Sequence, residues 1–159
     1  MRTREQEYAV AVFKRVDKVK KDHPPKDGKG DPYLTKYGSM AHKLPVLIRT
    51  AGLAQALAFV YTREEKRGGE IGPLHQLLND LAEVVLGEND GAKLAKRSRE
   101  AQLGVYMRLT EQALAALVWY KRFAESVLDV KATTEVPSGA ADGPPTAPAP
   151  EQDTPVEVS

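Results

Sequence analysis

Asp80 and Glu83, in "NDLAEVV", stand on adjacent positions of one helical turn. A carboxylate pair of this kind could hold a divalent ion for nuclease chemistry. Here the expected place for both is the outer, solvated face of their helix. The three histidines, His23, His42 and His75, are far apart and follow no metal-ligand spacing. His42, near the end of a short predicted helix, suits the negative end of the helix dipole better than a metal. Ser39 and Ser126 lack the flanking residues of a nucleophile. "RGGEIGP" (67–73) is glycine-rich, but no strand precedes it, so it reads as a helix stop and linker. There is no HExxH, no Walker-type glycine loop and no dinucleotide fingerprint. The expectation is a non-enzyme without metal, cofactor or small-molecule substrate.

Cations offer a different chemistry. On the helix expected after Pro45, Arg49, Gly52, Ala56 and Arg63 share one strip, small in the middle and cationic at both ends. Leu47, Leu53, Leu57, Val60 and Phe59 cover the remaining sides, which makes this helix central in its bundle. A glycine inside a helix costs about 1 kcal/mol relative to alanine. Either close helix packing compensates, or a partner or a phosphate backbone lies across the strip. Two further strips follow the same pattern. Lys14, Lys18 and Lys21 recur at i, i+4 and i+7 on the first helix, and Arg108, Ala115 and Arg122 at i, i+7 and i+14 on the last. Trp119 lies beside that last line and Lys121 is close to it. Basic groups interleaved with aromatic and small residues suit a nucleic-acid backbone, although a charged strip on a helix also serves as a plain solvated face.

The elements that must carry these strips are helical throughout. Thr3 and Gln6 form a capping box for a helix over 3–22, whose apolar face is Ala9, Val12, Phe13, Val16 and Val19. "HPPKDGKGDP" (23–32) breaks it. Asp31-Pro32 opens a short helix over 33–43. Pro45 starts the next, which runs to about residue 67 and stops at Gly68-Gly69. Pro73 opens another that ends at Gly87, with Leu74, Leu77, Leu78, Leu81, Val84 and Val85 as its buried stripe. A weak segment covers 92–99, and one long helix continues from Arg99 to about 129. Apolar residues never alternate at strand spacing. The fold class is all-α: a compact helical bundle of about five to six helices.

The net charge of +1 conceals an asymmetry. Residues 131–159 hold one lysine and five acids and carry −4, while residues 1–130 carry +5. The first 130 residues form the helical domain. The stretch 131–159, rich in proline and alanine ("GAADGPPTAPAP"), buries too little apolar area to offset its ordering entropy and is expected to be disordered. The absence of cysteine fits a reducing, cytoplasmic setting. No apolar run reaches the roughly 18 residues of a membrane span. A basic body favours an anionic partner.

Two blocks carry a resemblance to a known family. The first runs from "EYAVAVFKRV" through "KYGSMAHKLPVLIRTAGLAQALAF" and contains Glu7-Tyr8-Ala9, Tyr37, Lys43, Pro45, Gly52-Leu53 and Ala58-Phe59. The second, "EQALAALVWYKRFAESVL", contains Trp119, Arg122, Phe123 and Ala124. In this order the chain resembles the small helical subunit of type III-B CRISPR effector complexes, the Cmr small subunit. The resemblance implies an all-α subunit of an RNA-guided antiviral defence complex, without catalytic activity of its own. It implies stacking with further copies of itself and with other subunits, and a basic channel along crRNA and target RNA. By position, Lys43 and Arg49 join that channel. Lys14, Lys18, Lys43, Arg49 and Arg122 are therefore the expected RNA contacts, and Gly52, Ala56 and Trp119 the expected subunit contacts. A stand-alone adaptor that binds a protein helix through the Gly52/Ala56 strip is the alternative.

Overall fold

The Thr3 hydroxyl accepts the Gln6 N–H at 3.2 Å, and the Gln6 side-chain oxygen accepts the Thr3 N–H at 2.9 Å. This reciprocal cap satisfies two donors that a helix start otherwise leaves unpaired. In the computed structural model, which describes residues 1–64 and 69–132, six helices follow: α1 (Arg4–Asp22), α2 (Pro32–Ala51), α3 (Leu53–Arg63), α4 (Pro73–Leu86), α5 (Gly91–Glu100) and α6 (Leu103–Ser126). The expected helical bundle forms. Among the described residues there is no strand. Lys26 and Lys29 make only an isolated bridge around Asp27-Gly28, whose positive φ values of 52° and 72° give the tight turn that an Asp-Gly pair favours. From residue 133 onward, the segment expected to be disordered lies outside the described residues.

Helix α4 is the hub and packs against all five other helices, while α2 packs against α3, α4 and α6. Helix α1 lies on α4 and α6, and α5 on α3 and α4. Val12, Val16 and Val19 bury the face of α1, whereas Phe13 at its margin stays 45% exposed. In α2, Tyr37, Ala41, Leu44 and Ile48 are buried at i, i+4, i+7 and i+11. That stripe continues in phase across Pro45, and this corrects the helix boundaries expected there. Pro45 removes one backbone donor, but burial of the continuous stripe holds both halves in one helix. The break comes instead at Gly52, with φ 89° and ψ 159°, a conformation open essentially to glycine alone.

Two further boundaries shift: α3 ends at Arg63, with Glu64 extended at φ −133° and ψ 117°, rather than at about residue 67, and the start of α6 moves. Ala101 and Gln102 are extended, with ψ of 142° and 158°, so the last helix begins at Leu103 rather than Arg99.

Two helix starts lack a cap from their own neighbouring residues and receive one from elsewhere in the fold. The Ala54 N–H of α3 donates to the Tyr106 hydroxyl of α6 at 3.3 Å. The His75 N–H of α4 donates to the Glu64 carboxylate at 2.9 Å, and a negative group suits the positive end of a helix dipole.

Asp80 and His42 lie where the sequence reading did not put them. Asp80 is only 2% exposed, in the core rather than on the outer face. The Tyr37 hydroxyl donates to its Oδ2 at 2.7 Å and the Gln76 amide to its Oδ1 at 2.8 Å. A carboxylate buried there is tolerable because both oxygens are hydrogen-bonded. His42 is buried within α2, and its Nε2 lies 2.8 Å from the Val130 carbonyl. That carbonyl can only accept, so Nε2 carries the hydrogen and Nδ1 is left without a partner. His42 is therefore a tie between α2 and the stretch that follows α6, not a partner of a helix dipole.

Candidate nucleic-acid interface

The basic residues expected to contact RNA lie in separate places on the molecule. Arg49 of α2 and Arg122 of α6 line one cleft of about 300 Å³ together with Lys121, Pro45, Val118 and Glu125. Helix α2 supplies one wall because His42, Pro45 and Arg49 fall at i, i+3 and i+7, on the side turned toward α6 and its C-terminal extension. Helix α6 supplies the other through Val118, Lys121, Arg122 and Glu125, which lie opposite or beside its buried stripe of Ala113, Leu117, Tyr120 and Ala124. Arg49, Lys121 and Arg122 are all exposed. None of them forms an ion pair among the described residues. Three unpaired cations against one carboxylate, with Pro45 and Val118 as apolar walls, make a groove suited to an anionic chain.

Lys18 lines a second depression, of about 370 Å³, between α1 and α4. Its walls include Asp22, Asp80 and Glu83, and the ion pair between Arg15 and Glu83 closes one side. The acids make this depression far less favourable to phosphate than the α2/α6 groove. Lys14, on the outer face of α1, is exposed. Lys43 lines a third and wider depression beside Lys36, Arg63, Glu64 and Glu70. The structure thus joins Arg49 to Arg122 and keeps Lys14, Lys18 and Lys43 apart from them. Lys121, which the spacing had set close to the α6 line without counting it as a contact, belongs to the groove. Its signal was in the sequence: Val118, Lys121 and Glu125 follow one another at i, i+3 and i+7.

Of the expected subunit contacts, Trp119 is half-buried. Its ring stacks on Phe123 with centroids 5.7 Å apart, and Phe123 meets Phe13 edge-on at 5.4 Å. Gly52 and Ala56 are placed differently. Ala56 is 1% exposed and belongs to the core. Gly52 is the break between α2 and α3, under the Tyr106 hydroxyl. The strip imagined on one continuous helix does not exist as a groove, because the chain turns at Gly52.

The buried carboxyl of Asp80 ionises above its ordinary value of 3.8. Desolvation drives the shift, and the bonds from Tyr37 and Gln76 only partly offset it. The hydroxyls of Tyr37 and Tyr120, both fully buried, are held well above the usual phenol value by the same desolvation. A carboxyl with a raised pKa keeps its proton in the folded chain at a pH where the unfolded chain has lost it. This residue's contribution to stability is therefore most favourable below about pH 4 and declines as pH rises through the raised value. Asp80→Asn, which keeps an acceptor for Tyr37, should flatten the decline. Urea unfolding of both proteins from pH 4 to pH 7 checks this, and parallel curves would show that Asp80 ionises normally. Among the described residues no group of three or more His, Cys, Asp or Glu is placed to hold a metal ion, and no helix is long and apolar enough to cross a membrane.

Comparison with known proteins decides the family. The profile described as "CRISPR-associated protein (Cas_Cmr5)" matches residues 4–127, the whole of the six-helix region. The chain belongs to the Cmr5 family. Over 129 residues it is 43% identical to the CRISPR system Cmr subunit Cmr5 of Thermus thermophilus, a match that covers 81% of the chain and 99% of that relative. The crystal structure of a CRISPR-associated Cmr5 family protein from Thermus thermophilus superposes with a TM-score of 0.64 at 43% identity, covering 80% of this chain and 99% of that one. The Cmr5 profile stops at Val127, so the acidic segment of this family member lies beyond it.

Proposed function

We propose that this chain is a non-catalytic subunit of a type III-B CRISPR (Cmr) effector complex, one that stacks with further copies of itself and lends a basic groove to the channel for crRNA and target RNA. Family membership and the naming of a 43% identical relative as a Cmr subunit support the assignment to such a complex. The observation that carries the RNA role is the convergence of Arg49, Lys121 and Arg122, from two helices, on one cleft. A phosphate backbone gains from such cations by releasing its counterions, whatever its base sequence. Guide–target pairing then reads the sequence, and the protein reads backbone and shape. Lys14, Lys18 and Lys43 are further contacts only where a neighbouring subunit brings RNA across the other faces.

Assembly has its own surface in this proposal. Leu103 and Met107 at the start of α6 are 73% and 54% exposed and lie one turn apart. Phe13 and Trp119 form a second apolar patch between α1 and α6. Apolar residues exposed side by side are candidates for a contact surface. They take the role first given to Gly52 and Ala56, and the adaptor reading loses its groove.

Photocrosslinking of target RNA within the assembled complex tests the RNA role. The crosslinked peptides should fall on α2 near Pro45–Arg49 and on α6 between Val118 and Glu125. Crosslinks confined to α5 or to the α1/α4 depression would overturn it.

A further inference from the structure

The chain leaves the six-helix body at a defined point, and that point lies next to the groove. After α6 the Val130 N–H donates to the Ala124 carbonyl at 2.8 Å, and Asp129 turns the chain with φ 56°. Val130 then seats on α2. Its carbonyl accepts from His42 at 2.8 Å, and its side chain occupies the space over Gly38, where an added Cβ would lie 2.7 Å from that of Val130. The seat exists because residue 38 has no side chain.

Gly38, His42, Pro45 and Arg49 fall at i, i+4, i+7 and i+11 of α2 and so form one stripe. From His42 to Arg49 the helix rises about 10 Å. The stripe that holds Val130 therefore runs into the cationic groove.

We infer that the acidic C-terminal segment, residues 133–159, docks into the Arg49/Lys121/Arg122 groove of its own chain and competes there with RNA phosphates. Charge complementarity and reach carry the inference. The segment has five acids (Glu135, Asp142, Glu151, Asp153 and Glu157) and no lysine, arginine or histidine. The groove has three cations and one carboxylate, Glu125. Glu135 stands five residues past Val130, a span of up to about 17 Å, against a rise of about 10 Å along α2 from His42 to Arg49. Exposed ion pairs are individually weak, about 0–1 kcal/mol. Tethering changes the balance, because an attached ligand acts at an effective concentration on the order of millimolar. A free subunit thus screens its own groove. In the assembled complex, RNA held by many subunits displaces the segment. The competition with RNA rests on the function proposed above, whereas the docking itself does not.

The chain has no cysteine, so Thr154→Cys offers a single attachment point for a spin label, amid the acids at 151–157. In the full chain the label should broaden the amide signals of residues 118–125 and of Arg49. The broadening should be strong at about 50 mM salt and largely gone at about 500 mM, where charges are screened within a few ångströms. It should vanish in the variant with Glu135→Gln, Asp142→Asn, Glu151→Gln, Asp153→Asn and Glu157→Gln. That neutral variant, without label, should bind a poly(U) oligomer about three- to tenfold more tightly than the native chain. Broadening that survives neutralisation, or spreads evenly over the molecule, overturns the docking. Tighter poly(U) binding without local broadening also overturns it and leaves only a net-charge effect. Local broadening with unchanged poly(U) affinity sustains the docking, but it overturns both the competition and the groove as an RNA site.

Discussion

Reversal of Arg49, Lys121 and Arg122 to glutamate should weaken the retention of target RNA by the assembled complex at least tenfold near physiological salt. Each phosphate neutralised contributes about 0.7–0.9 to the slope of log affinity against log salt. Three contacts per subunit therefore account for a slope of about 2 to 3, and the triple variant should show a correspondingly shallower salt dependence as well as lower affinity. The three residues are exposed, and none is in an ion pair among the described residues, so the reversal breaks no contact of that kind in the fold. A second triple variant, Lys96→Glu, Arg97→Glu and Arg99→Glu on the exposed side of α5, changes the net charge equally. It should have a much smaller effect. Filter retention across a salt series compares the two. Equal losses would mean that net charge, and not the groove, governs binding.

Gly52→Ala should lower the unfolding free energy by about 3 kcal/mol, or the melting temperature by about 10 °C for a domain of this size. Two costs add. At φ 89° and ψ 159° a side chain is strained against its own backbone, at about 1–3 kcal/mol. The new Cβ would also lie 3.0 Å from the Tyr106 hydroxyl and push it off the Ala54 N–H, which loses a helix cap worth about 1 kcal/mol. Tyr106→Phe alone should cost about 1 kcal/mol through the lost cap. The double variant should cost less than the sum, because the collision and the cap share one oxygen atom. Thermal unfolding of the four proteins gives this cycle. A Gly52→Ala protein as stable as the native one would show that the break between α2 and α3 does not hold this conformation.

Much of the architecture was legible without coordinates because it rests on local rules. Thr3 and Gln6, Asp31-Pro32, Pro73 and Gly87 mark helix ends through caps and fixed dihedrals that need no distant partner. Apolar spacing identified Val12, Val16 and Val19 of α1 and Leu77, Leu78 and Leu81 of α4 as buried, while Phe13, Leu74, Val84 and Val85 lie at the margins of those faces. The resemblance carried by two blocks also led to the right family. Where local signals conflicted, packing decided. Pro45 reads as a start, yet the in-phase stripe from Tyr37 to Ile48 outweighs one lost hydrogen bond. Gly52 reads as a small residue in a helix, yet its dihedrals end that helix. The caps from Tyr106 and Glu64 come from residues 52 and 11 positions away, beyond any local pattern.

For the candidate interface, the sequence by itself determined which residues could meet a polyanion: lysines and arginines on helices, in a chain whose last segment, 131–159, has five acids and a single lysine. It also determined the all-α class, because only the helical period orders its apolar residues. What the tertiary structure alone decided is which cations act together. Arg49 and Arg122 are 73 positions apart and share one cleft because α2 and α6 pack side by side. Lys18, expected from its spacing, and Lys43, expected from the resemblance, face depressions that contain acids. Asp80 likewise became a core group only when Tyr37 and Gln76 closed over it. The physical reason is the same in each case. Helix periodicity fixes the direction of a side chain relative to its own axis, and only the burial of apolar faces against one another sets the relation between axes.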